Sequence, residues 1–289
     1  MNRIPRFRDP RDYQILFLSL FLLLGVLARD FTVRFDAMLT VLAASLLTQA
    51  AADRINAKLH PAIDYKFSLK SAWITGISLC LLLRSNSLPV MAMAGSVSIL
   101  SKFIFRFRGK HFFNPSNIGI IAAIALTSSA WVSPGQWGQD AWYAFLFLAA
   151  GGMVVKKVGR WDTTGAFLLV YGGLEAWRNS WLGWTWDVFL NRMTSGALLL
   201  FAFFMITDPR AIPDNRRARI LWTVLVAILS YILRNKFFMP TAILWALFIL
   251  SPLTILFDWI WPAPRFTWEK KPIEETQPPL TAVPRPAST

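Results

Sequence analysis

Ten apolar stretches separated by short charged segments account for most of this 289-residue chain. A helix needs about 20 apolar residues to cross roughly 30 Å of hydrocarbon, and several of these stretches fall short of that length. The pattern predicts an all-α polytopic membrane protein of about ten helices. The predicted stretches are Tyr13–Ala28, Arg34–Ala52, Ser71–Leu83, Pro89–Phe105, Asn117–Val132, Ala141–Val155, Gly165–Trp177, Thr194–Ile206, Ile220–Leu233 and Pro240–Trp261.

The composition removes most soluble classes of protein. Apolar residues make up 55% of the chain and charged residues 16%, against about 25% charged in an average soluble domain. A net charge of +14 would suggest a nucleic-acid partner in a soluble chain, but here it favours a topology signal. The single Cys80 excludes an internal disulfide, and His60 and His111 lie in charged segments, so no histidine is nominated for catalysis or haem.

The distribution of basic residues predicts the orientation. With the amino terminus inside, 23 of the 30 Lys and Arg residues fall in inner segments, a strong positive-inside bias. We therefore predict a bacterial-type inner (plasma) membrane protein with both termini cytoplasmic, no nucleic-acid partner, and a first helix that is retained as an anchor rather than cleaved as a signal peptide. Seven Trp residues in two outer loops are typical of an interfacial aromatic belt, with packing against a ligand or partner as the alternative.

Three regions follow from these patterns. Residues 1–12 form a basic cytoplasmic segment, residues 13–262 form the transmembrane domain, and residues 263–289 are Pro-rich and polar, which predicts a disordered cytoplasmic tail. If the ten helices divide five plus five, residues 13–132 form one unit and residues 141–262 form the other.

The inner segment Ser101–Ile120 carries the first candidate site. Lys102, Arg106 and Lys110 are spaced four apart, which on a helix gives one basic stripe. Asn114, a Pro, a Ser and Asn117 then supply a turn and an N-cap for the fifth helix. An ordinary positive inner loop followed by a cap is the alternative interpretation.

The inner segment Phe203–Ile220 carries the second candidate site. Thr207 and Asp208 precede a Pro at the end of the eighth helix, and an Asp at a membrane boundary is costly without partners. Its carboxylate is expected to pair with Arg210 or with the basic stripe. A plain charged turn remains the alternative.

Two short stretches begin alike and favour an internal repeat. Ser71 opens the third stretch, and Ser195 with Gly196 opens the eighth, which is the third of its half. A duplicated unit with an odd number of helices must sit inverted in the membrane. Paired short helices in inverted repeats mark binding sites near the pseudo-symmetry axis, where free N–H groups face the ligand.

The motifs "KFIFRFRGKHFFNPSNIGI" and "TSGALLLFAFFMITDPRAIPDNRRARI", with the later "YILRNKFFMPTAILWALFILSPLTILFDW", resemble the NqrB/RnfD family of membrane electron-transport subunits. The resemblance covers Leu69 to Pro262, and these residues are most similar to the stand-alone UnbU-like branch. It implies ten helices in two inverted five-helix repeats. It also implies electron transfer through flavins, of which one, a riboflavin, is held without a covalent bond in some members.

The chain departs from the family at the covalent flavin site. Members with covalent FMN attach it to a Thr in a Ser-Gly-Ala-Thr-like motif in a long outer loop after helix five. The near matches here begin at Thr164 and Ser195, and both lack the acceptor Thr. We therefore expect no covalent FMN, and a non-covalent riboflavin or FMN near the cytoplasmic side.

Three functions remain open on the sequence. The first is an electron-transport subunit that holds a flavin and acts only with redox partner proteins. The second is a cofactor-free scaffold for a partner complex, and the third is a small-molecule transporter. The cofactor-binding residues predicted for the first function are Ser71, Lys102, Arg106, Lys110, Asn114, Asn117, Ser195, Gly196, Thr207 and Asp208.

Overall fold

The computed structural model describes residues 9–28, 34–59, 68–133 and 141–268. The basic residues 1–8, the last 21 residues of the predicted tail and much of the first Trp-rich loop lie outside this part of the chain. The first half contains five helices: α1 Pro10–Ala28, α2 Phe35–Leu59, α3 Lys70–Leu82, α4 Leu88–Ile104 and α5 Pro115–Leu126.

The second half contains the remaining helices and one irregular turn. α9 continues directly into a π-helical turn, Phe201–Met205. The helices are α6 Ala141–Val158, α7 Trp161–Trp181, α8 Trp186–Met193, α9 Gly196–Leu200, α10 Arg216–Asn235, α11 Ala242–Leu250 and α12 Leu253–Ile260. Every predicted apolar stretch contains a helix, and α8 is an additional helix that the hydropathy pattern did not predict.

The helix lengths agree with a polytopic all-α membrane protein. In the described residues, α1, α2 and α10 are long and apolar enough to span a bilayer by themselves. Two further pairs qualify only as bent spans: α8 with α9 and its π-turn, bent by 45°, and α11 with α12, bent by 49°. Helices α3, α4 and α5 are apolar but shorter.

The helices pair in a similar order in the two halves. In the first half the closest packing joins α2 to α4, α4 to α5, and α1 to α3. In the second half it joins α7 to α10, α10 to α11, and α6 to α9 with its π-turn. The halves meet where α1 contacts α6 and α5 contacts α11.

Small residues bring α2, α4 and α5 into close contact. A Cβ at Gly95 of α4 would lie 2.8 Å from the Val41 carbonyl oxygen of α2, and one at Gly119 of α5 would overlap the Ser98 side chain of α4. Close approach of backbones at small residues is typical of helices that pack inside membranes, where apolar burial offers little gain.

Two short antiparallel ribbons replace parts of the predicted helices. β1, Leu83–Ser85, pairs with β4, Ala130–Val132, so the predicted fifth stretch is wrong beyond Leu126. The physical reason is local: Thr127 ends α5 in an extended conformation, and its hydroxyl donates to the Ala123 carbonyl.

The second ribbon corrects the predicted basic stripe. α4 ends at Ile104, and β2, Arg106–Phe107, folds back on β3, Lys110–His111. Arg108 and Gly109 both have positive φ, as the two central residues of a type I′ hairpin require. Lys102, Arg106 and Lys110 therefore do not share one helix face.

Candidate functional site

A cavity of about 200 Å³ lies where the two predicted inner segments meet. We call it the large cavity. α1 to α5, the turn after α9 and the loop that follows it all contribute to its wall. Of the ten predicted site residues, the structure brings five to its wall: Ser71, Lys102, Arg106, Asn114 and Asp208.

Asn114 lines the large cavity and is the N-cap of α5. Its Oδ1 accepts a hydrogen bond from the Asn117 backbone N–H at 3.0 Å, and Pro115 occupies the first helical position, which confirms the predicted N-cap. Its Nδ2 donates to the Met205 carbonyl at 3.2 Å. One amide side chain thus starts α5 and ties it to the segment after α9.

Asn117 is structural in this arrangement. It is fully buried, and its Nδ2 donates to the Leu244 carbonyl of α11 at 3.2 Å. Thr207 is similar, because its hydroxyl donates to the Phe203 carbonyl within the π-turn. Neither residue lines the large cavity; Asn117 instead joins α5 to α11, and Thr207 stabilises the end of the π-turn.

Lys102 supplies a buried positive charge to the cavity wall. Its Nζ donates to Gln49 Oε1 at 2.5 Å and to Ser71 Oγ at 3.3 Å. Gln49 Nε2 in turn donates to Asp53 Oδ1 at 2.7 Å. Gln49 and Asp53 lie in α2 and were not predicted; their spacing of four at the end of the second apolar stretch was the available signal.

Asp208 contacts the first inner segment through Asn114 and His111 rather than through the basic stripe. Its carboxylate lies 3.8 Å from His111 Nε2 and 3.5 Å from Asn114 Nδ2, and it accepts the Arg210 backbone N–H at 3.1 Å. The expected pairing with Lys102, Arg106 or Lys110 is therefore not among its contacts here. The carboxylate instead faces a histidine.

His111 is the functional candidate that sequence reasoning missed. Its position in a charged segment offers no reason to select it, yet it is 5% exposed and lines the large cavity. Burial lowers the pKa of its imidazole below the ordinary 6.5, and this effect outweighs the nearby Asp208 carboxylate, which raises it. His111 is therefore neutral at pH 7.

Lys110 is buried away from the cavity. Its Nζ lies 2.6 Å from Asp258 and 3.0 Å from Asp214, and it donates to the Ile212 carbonyl at 2.6 Å. The hairpin that carries Lys110 is thus clamped to the second half of the chain. The predicted role of Lys110 as a cofactor ligand has no contact to support it among the described residues.

Ser195 and Gly196 lie elsewhere. Ser195 lines a second cavity of about 40 Å³, with Arg192, Arg234 and Thr241 on other walls; we call it the small cavity. Gly196 begins α9 beside it without lining it. The prediction grouped both serine helix starts in one site, but the structure separates them.

A hydrogen-bonded network stands beside the small cavity. Arg192 donates to Glu175 Oε2 at 2.6 Å and to Asn235 Oδ1 at 3.2 Å, and Asn235 Nδ2 donates to Glu175 Oε1 at 2.7 Å. Glu175 is 2% exposed, so its charge is compensated within this network. The side chains of Glu175, Arg192 and Asn235 thus satisfy one another's hydrogen-bonding groups.

A similar short sequence occurs beside each of the two cavities. His111-Phe-Phe-Asn-Pro-Ser precedes α5, and Lys236-Phe-Phe-Met-Pro-Thr precedes α11. Each signature ends in a Pro and a hydroxyl residue at the start of a helix. This repeat of Phe-Phe-x-Pro was the clearest available sign that the halves are related.

The segment after α12 closes one side of the large cavity. Trp268 lines it, and the guanidinium of Arg11 lies 5.0 Å from the centre of the Trp268 ring. Both residues lie in regions that the sequence pattern assigned to the two termini, outside the transmembrane domain. The cavity therefore draws walls from both ends of the described chain.

Comparison with known proteins supports the family resemblance. A family model described as the NQR2, RnfD, RnfE family matches residues 127–266. A subunit of the ion-translocating oxidoreductase complex of Psychromonas ingrahamii is 29% identical over 130 residues, which are 43% of this chain and 36% of that protein. A subunit of the proton-translocating ferredoxin:NAD(+) oxidoreductase complex of Clostridium ljungdahlii is 23% identical over 272 residues, 77% of this chain and 81% of that protein.

A third relative comes from the ion-translocating oxidoreductase complex of Stutzerimonas stutzeri. It is 29% identical over 115 residues, 39% of this chain and 32% of that protein. The matches thus span about a third of two of these relatives and four fifths of the other. Together they confirm the resemblance to the NqrB/RnfD family that the inner-segment motifs indicated.

Proposed function

We propose that this chain is an integral membrane subunit of an electron-transport complex and holds one non-covalent flavin, riboflavin or FMN, in the large cavity. The related proteins are named as subunits of ion-translocating or ferredoxin:NAD(+) oxidoreductase complexes, and we extend that role to this chain. The observation that carries the proposal is the large cavity itself, which joins both candidate segments.

The residues of the large cavity fit a planar ring system with one polar edge. Leu18, Leu200 and Phe204 line the cavity with apolar side chains, while Ser71 and Lys102 supply donors to it. Charged residues, among them Asp53 and Asp208, line it as well. A flavin has an apolar dimethylbenzene end and an acceptor-rich pyrimidine end, so it matches this mixed lining.

When bound, a flavin supplies electron transfer that no side chain here provides, and the chain supplies position and electrostatics. Asn114 supports the cavity by joining α5 to the Met205 carbonyl. Lys102 holds a positive charge in the cavity lining, and the apolar side chains exclude water from the ring. His111 and Asp208 place a neutral base beside a carboxylate in the lining.

The absence of covalent FMN is part of the proposal. The near match that begins at Thr164 has Phe167 where the acceptor Thr would stand, and the Thr164 hydroxyl is buried and donates to the Ala202 carbonyl at 2.7 Å. A hydroxyl held inside the helix packing is a poor acceptor for a phosphoester. This supports a subunit with a single, exchangeable flavin.

We further propose ten spans arranged as two inverted repeats, with residues 13–132 as one unit and residues 141–262 as the other. The parallel pairing order of the helices and the repeated Phe-Phe-x-Pro signature support this. On this arrangement the protein sits in a bacterial-type inner membrane with both termini cytoplasmic. The large cavity then opens on the cytoplasmic side and the small cavity on the outer side.

Purified protein tests the proposal. We expect a visible flavin absorption spectrum, with about one flavin per chain released by mild denaturation and identified by mass as riboflavin or FMN. The denatured chain should retain no flavin fluorescence. Colourless protein with no extractable flavin would contradict the proposal and favour a cofactor-free scaffold.

A further inference from the structure

Lys102 is a buried cation whose hydrogen-bond acceptors are uncharged. It lies in the last turn of α4 and is 7% exposed. Its acceptors among the described residues are the Gln49 amide oxygen and the Ser71 hydroxyl. Burial of an ammonium group is expensive unless it is paired, so an arrangement with neutral acceptors invites a further partner.

The Asp53 carboxylate is connected to Lys102 through Gln49. Gln49 stands between Lys102 and Asp53, accepting from the ammonium and donating to the carboxylate. An ammonium has three N–H donors, and two are used by the contacts to Gln49 and Ser71. Among the described residues the third N–H has no hydrogen-bond acceptor, and because Lys102 lines the large cavity, a ligand there can accept from it.

The lining of the large cavity is chemically mixed. Lys102 and Ser71 line it near the start of α3, whose first N–H groups add partial positive charge. Asp53 and Asp208 also line it, and Leu18, Leu200 and Phe204 contribute apolar side chains. In a site with little water, a fixed charge acts on a ligand far more strongly than it would in solution.

We propose that Lys102 orients the flavin and sets its reduction potential, an inference that rests on the proposed function. Lys102 and Ser71 would hold the pyrimidine carbonyl edge, and the apolar residues would hold the dimethylbenzene end. Two-electron reduction with uptake of one proton from water leaves one negative charge on the pyrimidine end. Lys102 therefore binds the reduced flavin more tightly than the oxidised flavin.

Three variants of the full chain test this proposal by spectroelectrochemical titration with the flavin as the probe. Lys102→Met removes the charge and keeps the length, Lys102→Arg keeps the charge, and Lys156→Met removes an exposed lysine away from the cavity as a matched control. Flavin content and melting temperature are measured beside the midpoint potential, with electrons supplied by the electrode.

We expect Lys102→Met to lower the ratio of reduced-flavin to oxidised-flavin affinity at least tenfold, which is ~30 mV in a two-electron midpoint potential. Lys102→Arg should change that ratio less than about threefold, and Lys156→Met should match the wild type. Folded Lys102→Met protein that loses flavin, while Lys102→Arg retains it, also supports the proposal. A wild-type potential in Lys102→Met overturns it.

Two further outcomes separate this inference from the proposed function. Wild-type protein that carries no flavin overturns both. If Lys102→Met does not fold, Ser71→Asp provides the second test, because it places a carboxylate beside the ammonium and cancels its charge. Flavin bound to Ser71→Asp at the wild-type potential contradicts the role of Lys102 and leaves the proposed function standing.

Discussion

The two Phe-Phe-x-Pro segments have nearly the same local sequence but border different cavities. Asn114-Pro115-Ser116 starts α5 at the large cavity of about 200 Å³, and Met239-Pro240-Thr241 leads into α11 at the small cavity of about 40 Å³. Both segments follow a helix that packs beside α2 or its second-half counterpart α7. The helices are arranged alike in the two halves, so the difference in cavity size must come from the side chains and from inserted residues.

The insertion is the β2–β3 hairpin. Residues 105–114 separate α4 from Pro115, whereas only residues 236–239 separate α10 from Pro240. The longer connection carries Lys110 to the second half and places His111 on the cavity wall. At the small cavity, Glu175, Arg192 and Asn235 satisfy one another instead. The hairpin is therefore the main difference between the two connections.

The hairpin clamp should give the largest effect on stability. Lys110→Met leaves Asp214 and Asp258 without their shared cation, and loss of one partner of a buried pair costs about 3–5 kcal/mol. We expect a large fall in the melting temperature in detergent and loss of flavin. Lys236→Met, at the equivalent end of α10, is the control and should change little. Equal stability of the two variants would contradict the clamp.

The next largest effect should come from the helix cap that differs between the two segments. Asn114→Ala removes the N-cap of α5 and the hydrogen bond to the Met205 carbonyl, for a combined cost of about 2 kcal/mol. Met239→Ala removes a side chain without those bonds. We expect flavin content to fall in Asn114→Ala and to persist in Met239→Ala, measured by extraction. Full occupancy in Asn114→Ala would show that the cap is not part of the site.

Asp208→Ala should have a smaller effect than the sequence suggested. The motif suggested that Asp208 pairs with Arg210 or with the basic stripe, but Lys110 of the stripe already has two carboxylates. Asp208 is 19% exposed and its contacts are with His111, Asn114 and a backbone N–H. We expect a loss of about 1 kcal/mol in the free energy of unfolding. A loss as large as that of Lys110→Met would restore the original interpretation.

The smallest expected effect is a pH dependence that the second segment lacks. Burial holds the pKa of His111 below 6.5, so below that pH the unfolded chain binds a proton that the folded chain excludes. Stability should therefore fall as pH drops through this range, until the folded pKa is reached. His111→Gln should flatten the slope of melting temperature between about pH 7 and pH 5. An unchanged slope would mean that His111 is not buried as a neutral base.

The sequence predicted the helices well and the contacts poorly, for identifiable reasons. Each of the ten predicted apolar stretches contains a helix, although α8 was not predicted, and the Asn114 cap followed from local chemistry that needs no tertiary context. The prediction that Lys102, Arg106 and Lys110 share one helix face was wrong. A spacing of four places residues on one face only if the helix continues, but Arg108 and Gly109 form a hairpin turn instead. The Asp258 partner lies 148 residues from Lys110, beyond any local pattern.

The site was predicted in part for the same reason. Five of the proposed residues line the large cavity because the two segments that carry four of them meet there with the start of α3, which carries Ser71. His111 and Gln49 were missed, since their importance depends on burial that three-dimensional packing creates. Ser195 was misplaced because two similar helix starts were grouped in one site, although an inverted repeat would set its two copies at opposite ends.

Filling each cavity in turn tests the central claim most directly. Ser78 lines the large cavity and Thr241 lines the small one, so Ser78→Phe and Thr241→Phe add similar bulk at the two ends. The measurement is flavin bound per folded chain. The account predicts that Ser78→Phe loses its flavin while Thr241→Phe keeps about the wild-type content. If Ser78→Phe retains its flavin and Thr241→Phe loses it, the flavin binds in the small cavity, which contradicts the account.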